Sequence, residues 1–126
     1  MNWRRAGLTL VILFFFAGGL AHFAFATAEI GIIPPYVPYP HVVNYASGFF
    51  ELLGAIGLMI PTARKWAGLG LILLTICVTP ANVFMLQHAG RFPDIPVWVL
   101  AVRLPLQVLL ILLIGWSSSI PVRRVA

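Results

Sequence analysis

The chain has 126 residues, of which 61% are hydrophobic and only 9% charged. Soluble domains carry roughly 25% charged residues, and a mean hydropathy of +1.01 excludes an ordinary soluble fold of this length. The net charge of +5 does not mark a nucleic-acid surface. The basic residues sit at segment ends, as Arg4 and Arg5, Arg64 and Lys65, and Arg123 and Arg124, where membrane proteins carry their topology signals.

A bilayer core takes roughly 20 residues of helix. Four apolar stretches meet that length, over 6–26, 41–60, 66–88 and 95–116. They predict an all-α fold, a single four-transmembrane-helix bundle filling residues 1–126. The first stretch has a competing reading, because Arg4 and Arg5, an apolar run and Ala24-Phe25-Ala26 resemble a cleavable secretory signal. Its apolar region is longer than the usual 7–15 residues, which favours a retained span. The proline-rich run from Pro34 to Pro40 cannot continue a helix and predicts a stiff, extended connector. Pro61 to Lys65 forms a tight charged turn, and Cys77 lies amid apolar neighbours that point to a packing role. As the one cysteine, it excludes an internal disulfide and a zinc-type spacing. Gly90 to Asp94 separates the last two spans, with Asp94 placed to cap the fourth helix.

Six of the eight basic residues fall at the amino terminus, the second loop and the carboxyl terminus. Both termini are therefore expected in the cytoplasm, with loops one and three outside. Aromatic anchors agree, with Trp3, Trp66 and Trp116 at the inner boundary and Tyr36, Tyr39, Tyr45 and Trp98 at the outer one. The expected location is a bacterial cytoplasmic membrane, crossed several times.

Ionisable residues inside a membrane span face one another or a polar cavity, and they mark functional sites by default. Glu51 lies roughly 15 Å below the outer start of the second helix, and Arg103 roughly 12 Å below that of the fourth. Asn82 lies roughly 9 Å from the outer end of the third, and His22 is near the outer end of the first. All four helices thus send a polar group into one layer. Asn44, Ser47, Gly48 and Glu51 follow a three- and four-residue rhythm, as do Thr75, Thr79 and Asn82, while Arg103 and Gln107 are one turn apart. These faces predict one polar pocket in the outer half of the bundle, with His22, His41, Asn44, Glu51, Asn82, Arg103 and Gln107 as candidates for ligand binding or proton exchange.

Each candidate also has a structural reading. Glu51 and Arg103 are expected to pair, either as a clamp between two helices or as part of a ligand site. Pro80 and Pro105 free the carbonyls of Ile76 and Ala101, so Asn82 and Gln107 are also read as repairs to kinked backbone. His41 and His88 suit an exposed interfacial position. Haem needs two facing axial ligands, which the sequence does not demonstrate, so haem is not the expected cofactor, and no metal site is expected. Phosphate-binding, dinucleotide and hydrolase motifs are lacking, so independent catalytic activity is not expected.

The chain resembles the DoxX-like family of small four-helix membrane proteins. The resemblance rests on Tyr39-Pro40-His41, on the run Ser47 to Gly54, on Gly57 to Arg64, and on Thr79 to Met85. These lie between residues 39 and 85, somewhat over a third of the chain, in the expected order. The resemblance implies Glu51, Arg64 and Asn82 as the family's polar positions, and an association with quinone-linked or thiol-stress redox complexes. A dithiol role is not carried over, because no cysteine pair is present. Three functions follow as expectations. The first is an accessory protein that binds an amphipathic molecule, with a quinone foremost. The others are a small transporter or channel subunit, and an anchor for a soluble redox partner. The lipid bilayer is the expected environment, with a soluble or membrane redox partner and a homodimer through the glycine-rich faces as expected assemblies.

Overall fold

The computed structural model describes residues 3–31, 33–91, 93 and 95–118, with Glu29 through its backbone. Asp94 and the Arg123-Arg124 pair lie outside the described residues. The elements in order are α1 (Trp3–Ala24), a short α2 (Ala26–Gly31), α3 (Pro40–Met59), α4 (Arg64–Cys77), α5 (Thr79–Gln87), a 3-10 turn (Ala89–Arg91) and α6 (Val97–Ser118). No strand occurs among the described residues. With α4 and α5 taken as one bent span, four helices are long and apolar enough to cross a membrane. Large apolar side chains point outward from all of them, including Leu13, Leu53, Leu73 and Leu112. Water does not tolerate such a belt, whereas lipid does. The protein is an all-α four-helix bundle of the multi-pass membrane kind.

The connections differ from expectation in one place. The chain after α1 does not run out as an extended strap. It forms α2 and then a turn in which the Val37 N–H donates to the Pro34 carbonyl at 3.0 Å. Tyr39, just before Pro40, takes the left-handed conformation with φ 51° and ψ 60°. A residue before proline avoids the right-handed helical region, and left-handed backbone is costly for a tyrosine. Pro40 then opens α3, where its missing N–H is harmless. At the second connection Arg64 Nε donates to the Leu58 carbonyl at 2.8 Å, so this basic residue closes the last turn of α3.

Glycines set how closely the helices approach. The backbones of α1 and α3 meet at Gly19 and Gly48. A Cβ at Gly48 would lie 2.6 Å from His22 Cβ and 3.1 Å from the Gly19 carbonyl oxygen. Leu71 of α4 fills the space over Gly54 of α3, and Ser118 of α6 sits against Gly68 of α4. The resulting ring order is α1, α3, the α4–α5 span and α6, so α3 and α6 stand on opposite sides of the bundle.

The two halves of the bundle are unlike. At the end carrying Arg4, Arg5, Arg64 and Lys65, a solid core of Leu8, Val11, Ala55, Leu58, Leu71 and Ile114 is almost wholly buried. Arg4 Nε there donates to the Trp116 carbonyl at 3.3 Å, joining the start of α1 to the end of α6. Toward the opposite end the third span breaks at Val78, two residues before Pro80. α4 packs on both α3 and α6, whereas α5 packs chiefly on α6. The bend thereby opens space inside the upper bundle.

Substitution of Gly48 by Leu tests the crossing. Overpacking of this kind costs about 1–3 kcal/mol or more, so Gly48→Leu should lower the unfolding temperature in nonionic detergent. Gly70→Ala adds a methyl where nothing lies within 4 Å and should leave it unchanged. Equal unfolding temperatures for Gly48→Leu and the native protein would contradict the crossing.

Candidate functional site: a polar cavity beside the helix break

The space opened by the bend is a cavity of about 760 Å³. Its wall includes His22 from α1, Asn44, Ser47 and Glu51 from α3, and Asn82 with Arg103 and Gln107 from α5 and α6. Six of the seven residues singled out in the sequence therefore meet here. The seventh, His41, is exposed on the first turn of α3 and does not line the cavity. Pro34, Tyr36 and Val37 from the first connection line it as well. Apart from Thr75 and Cys77 the rest of the wall is apolar, with Phe14, Phe15, Leu74, Leu109, Leu110 and Leu113 reaching toward the solid half.

His22 is held in place by its neighbour helix. Its Nδ1 lies 2.7 Å from Asn44 Oδ1, while Asn44 Nδ2 donates to the His22 backbone carbonyl at 2.8 Å. That carbonyl belongs to the last turn of α1, where helical N–H partners run out, so Asn44 caps the helix from the side. Because the Asn44 amide donates to the carbonyl, its oxygen is the acceptor facing the ring, and Nδ1 must carry a proton. The other ring nitrogen, Nε2, lies 3.2 Å from Glu51 Oε2. Asn44, Gly48 and Glu51 are spaced so that the imidazole spans from one polar residue to the other, and Gly48 leaves the room for it.

Glu51 Oε2 is buried and accepts no hydrogen bond among the described residues, so its polar neighbour is the His22 ring. Gly18 lies behind it, where an added Cβ would sit 3.4 Å from Oε2. A bare carboxylate facing an imidazole lone pair would be repelled at this distance. One proton between the groups removes the repulsion, giving either imidazolium with carboxylate or imidazole with carboxyl. Both forms sum to zero charge.

The expected Glu51–Arg103 ion pair does not form. α3 and α6 are diagonal in the bundle, so Glu51 pairs with His22 on the adjacent α1. Arg103 instead donates from Nη1 to Met85 Sδ at 3.0 Å, and sulfur is a weak acceptor. Among the described residues it makes no ion pair. Asn82 and Gln107 are not repairs to the prolines' freed carbonyls either. Asn82 Nδ2 donates to Gln107 Oε1 at 2.6 Å, and Gln107 Nε2 donates to Thr79 Oγ1. These amides tie α5 to α6 and hold the bent span in place. Pro105 leaves α6 unbroken. Cys77, at the end of α4, is exposed rather than packed and lines the cavity. Among the described residues, no group of His, Cys, Asp or Glu could hold a metal ion.

Met85 and Gly18 were not legible as site residues. Met85 is one apolar residue among many, and nothing in the sequence ties it to Arg103. The Gly18-Gly19 pair on α1 and Gly48 on α3 did hold a signal, since small residues mark close helix contacts.

Replacing Asn44 by Leu, similar in size and apolar, removes both hydrogen bonds. Loss of such buried partners costs about 1–3 kcal/mol. The ring nitrogens of His22 should show a protonated Nδ1 in the native protein by nitrogen-15 NMR and mixed tautomers in Asn44→Leu. An unprotonated Nδ1 in the native protein would refute the hydrogen-bond assignment.

No curated protein and no solved structure matches the chain. A family model described as Domain of unknown function (DUF8561) matches residues 10–120, nearly the whole bundle and all of the cavity wall. The chain belongs to that family.

Proposed function

We propose that the protein is an accessory membrane protein that holds a small amphipathic molecule in this cavity, without catalysis of its own. The observation that carries this reading is the cavity itself. Its volume falls within the roughly 300–1,000 Å³ of small-molecule sites, and it has their make-up of apolar walls with a few convergent polar groups. Its polar groups gather near the first connection, while the apolar wall runs down to Leu113, roughly 15 Å along α6 from Arg103. A ligand with a polar head and an apolar tail matches that division.

A quinone is the first candidate. Its ring oxygens would accept from Arg103, and the His22–Glu51 pair would hold a proton beside them. The resemblance of the α3 and α5 segments to DoxX-like proteins supports a redox-associated setting. The distribution of basic residues supports a bacterial cytoplasmic membrane with both termini inside, which would open the cavity toward the outer leaflet. The solid core of Leu8, Val11, Ala55, Leu58, Leu71 and Ile114 speaks against a continuous path, and so favours binding over a channel.

The test is mass spectrometry of small molecules that copurify in nonionic detergent, followed by titration with a short-chain quinone. About one amphipathic ligand per chain is expected. Ser47→Phe, which fills the cavity from α3, should weaken quinone binding about tenfold or more, a loss of about 1.4 kcal/mol or more. Absence of both a copurified ligand and quinone binding would refute the proposal.

A further inference from the structure

The charge balance of the cavity deepens this reading, and it rests on the cavity being a ligand site. Among the described residues, the titratable ones on its wall are His22, Tyr36, Glu51, Cys77 and Arg103. Tyrosine and cysteine are neutral in their ordinary states. His22 and Glu51 sum to zero in either arrangement that puts a proton between them. Arg103 is always protonated, and the described residues give it a sulfur atom in place of a carboxylate. The described residues of the cavity wall therefore sum to one net positive charge, within a membrane span.

Among the described residues no carboxylate pairs with that charge. Gln107, one turn along α6, is engaged with Asn82 and Thr79. Arg91 lies over the Phe84 ring and is not among the residues that line the cavity. A guanidinium has five N–H donors in a planar fork that matches two oxygens of one anion. Met85 engages one nitrogen of that fork.

We propose that the cavity selects an amphiphile whose head group bears a single negative charge on oxygen, held by the Arg103 guanidinium. A carboxylate with an alkyl tail is the simplest such molecule, and an acidic phospholipid presents the same chemistry. A neutral quinone can accept the hydrogen bonds but leaves the charge unmet. A ring with an acidic hydroxyl, ionised at neutral pH, meets both.

The experiment compares laurate with lauryl alcohol, which has the same tail and a neutral head. Binding is measured by calorimetry to the full chain in phosphatidylcholine nanodiscs, and the affinity ratio corrects for partitioning measured on empty discs. Laurate should bind about tenfold or more tighter than the alcohol, since a charge-assisted hydrogen bond is about twice as strong as a neutral one. Arg103→Lys should keep most of that preference, and Arg103→Gln should abolish it. Should Arg103→Gln fail to fold, as judged by circular dichroism, the native ratio still decides. Competition by added phosphatidylglycerol would identify a lipid as the anion's source, and lack of competition a free acid; both support the assignment. Equal affinity for laurate and lauryl alcohol would overturn the charge selection while leaving amphiphile binding intact. Failure of laurate, the alcohol and a short-chain quinone alike would overturn the ligand site as well.

Discussion

Contact between the α1 and α3 backbones at Gly19 and Gly48 governs where each ionisable group of the cavity ends up. Side chains at either position would push the helices apart, since an added Cβ at Gly19 would already meet Leu52 at 2.7 Å. With the helices this close, His22 lies across Gly48 and reaches Asn44 on one side and Glu51 on the other. The pairing of Glu51 with histidine instead of arginine follows from backbone packing. Electrostatics then decides only how many protons the pair holds.

A second constraint acts on the third span. α4 is wedged between α3 and α6, with Leu71 against Gly54 and Gly68 against Ser118. Beyond Val78 the small residues are replaced by Pro80, and α5 leans on α6 through the Asn82–Gln107 and Gln107–Thr79 bonds. Thr75 and Thr79 donate back to the carbonyls of Leu71 and Thr75, a pattern that bends helices. The cavity is thus the counterpart of the tight packing below it. The same span fills the bundle where its surface is small and vacates it where the backbone bends.

The four spans were legible because apolar length is a strong signal, and the observed helices start and end within about three residues of the expected ones. The shared polar layer was legible too, since residues at equal depth on inward faces must meet somewhere in a narrow bundle. The pairing within the layer was not read correctly. Depth places Glu51 and Arg103 at similar levels but says nothing of which helices are neighbours. Short connections make consecutive helices adjacent in such bundles, and that rule puts the second and fourth spans on a diagonal. Applied to Glu51, it would have pointed to His22 on the first span. The turn at Pro34–Val37 escaped for a different reason, because proline fixes φ without fixing ψ, and both extended and turned chains satisfy it.

Among the described residues Arg103 has no carboxylate partner, which is unlike a structural clamp. A clamp satisfies both of its charges internally, and removing water around it is its main cost. Here one carboxylate is neutralised by a histidine, while the arginine is left with a sulfur contact. An arginine within a membrane span is costly, up to about 2.5–3.5 kcal/mol at the helix centre on insertion scales, and stability alone gives no reason to keep it there. An apolar residue in its place would carry no such cost. On the proposed reading, an anionic head group in the cavity would offset that cost, and the cation would link the fold of the outer half to its occupant.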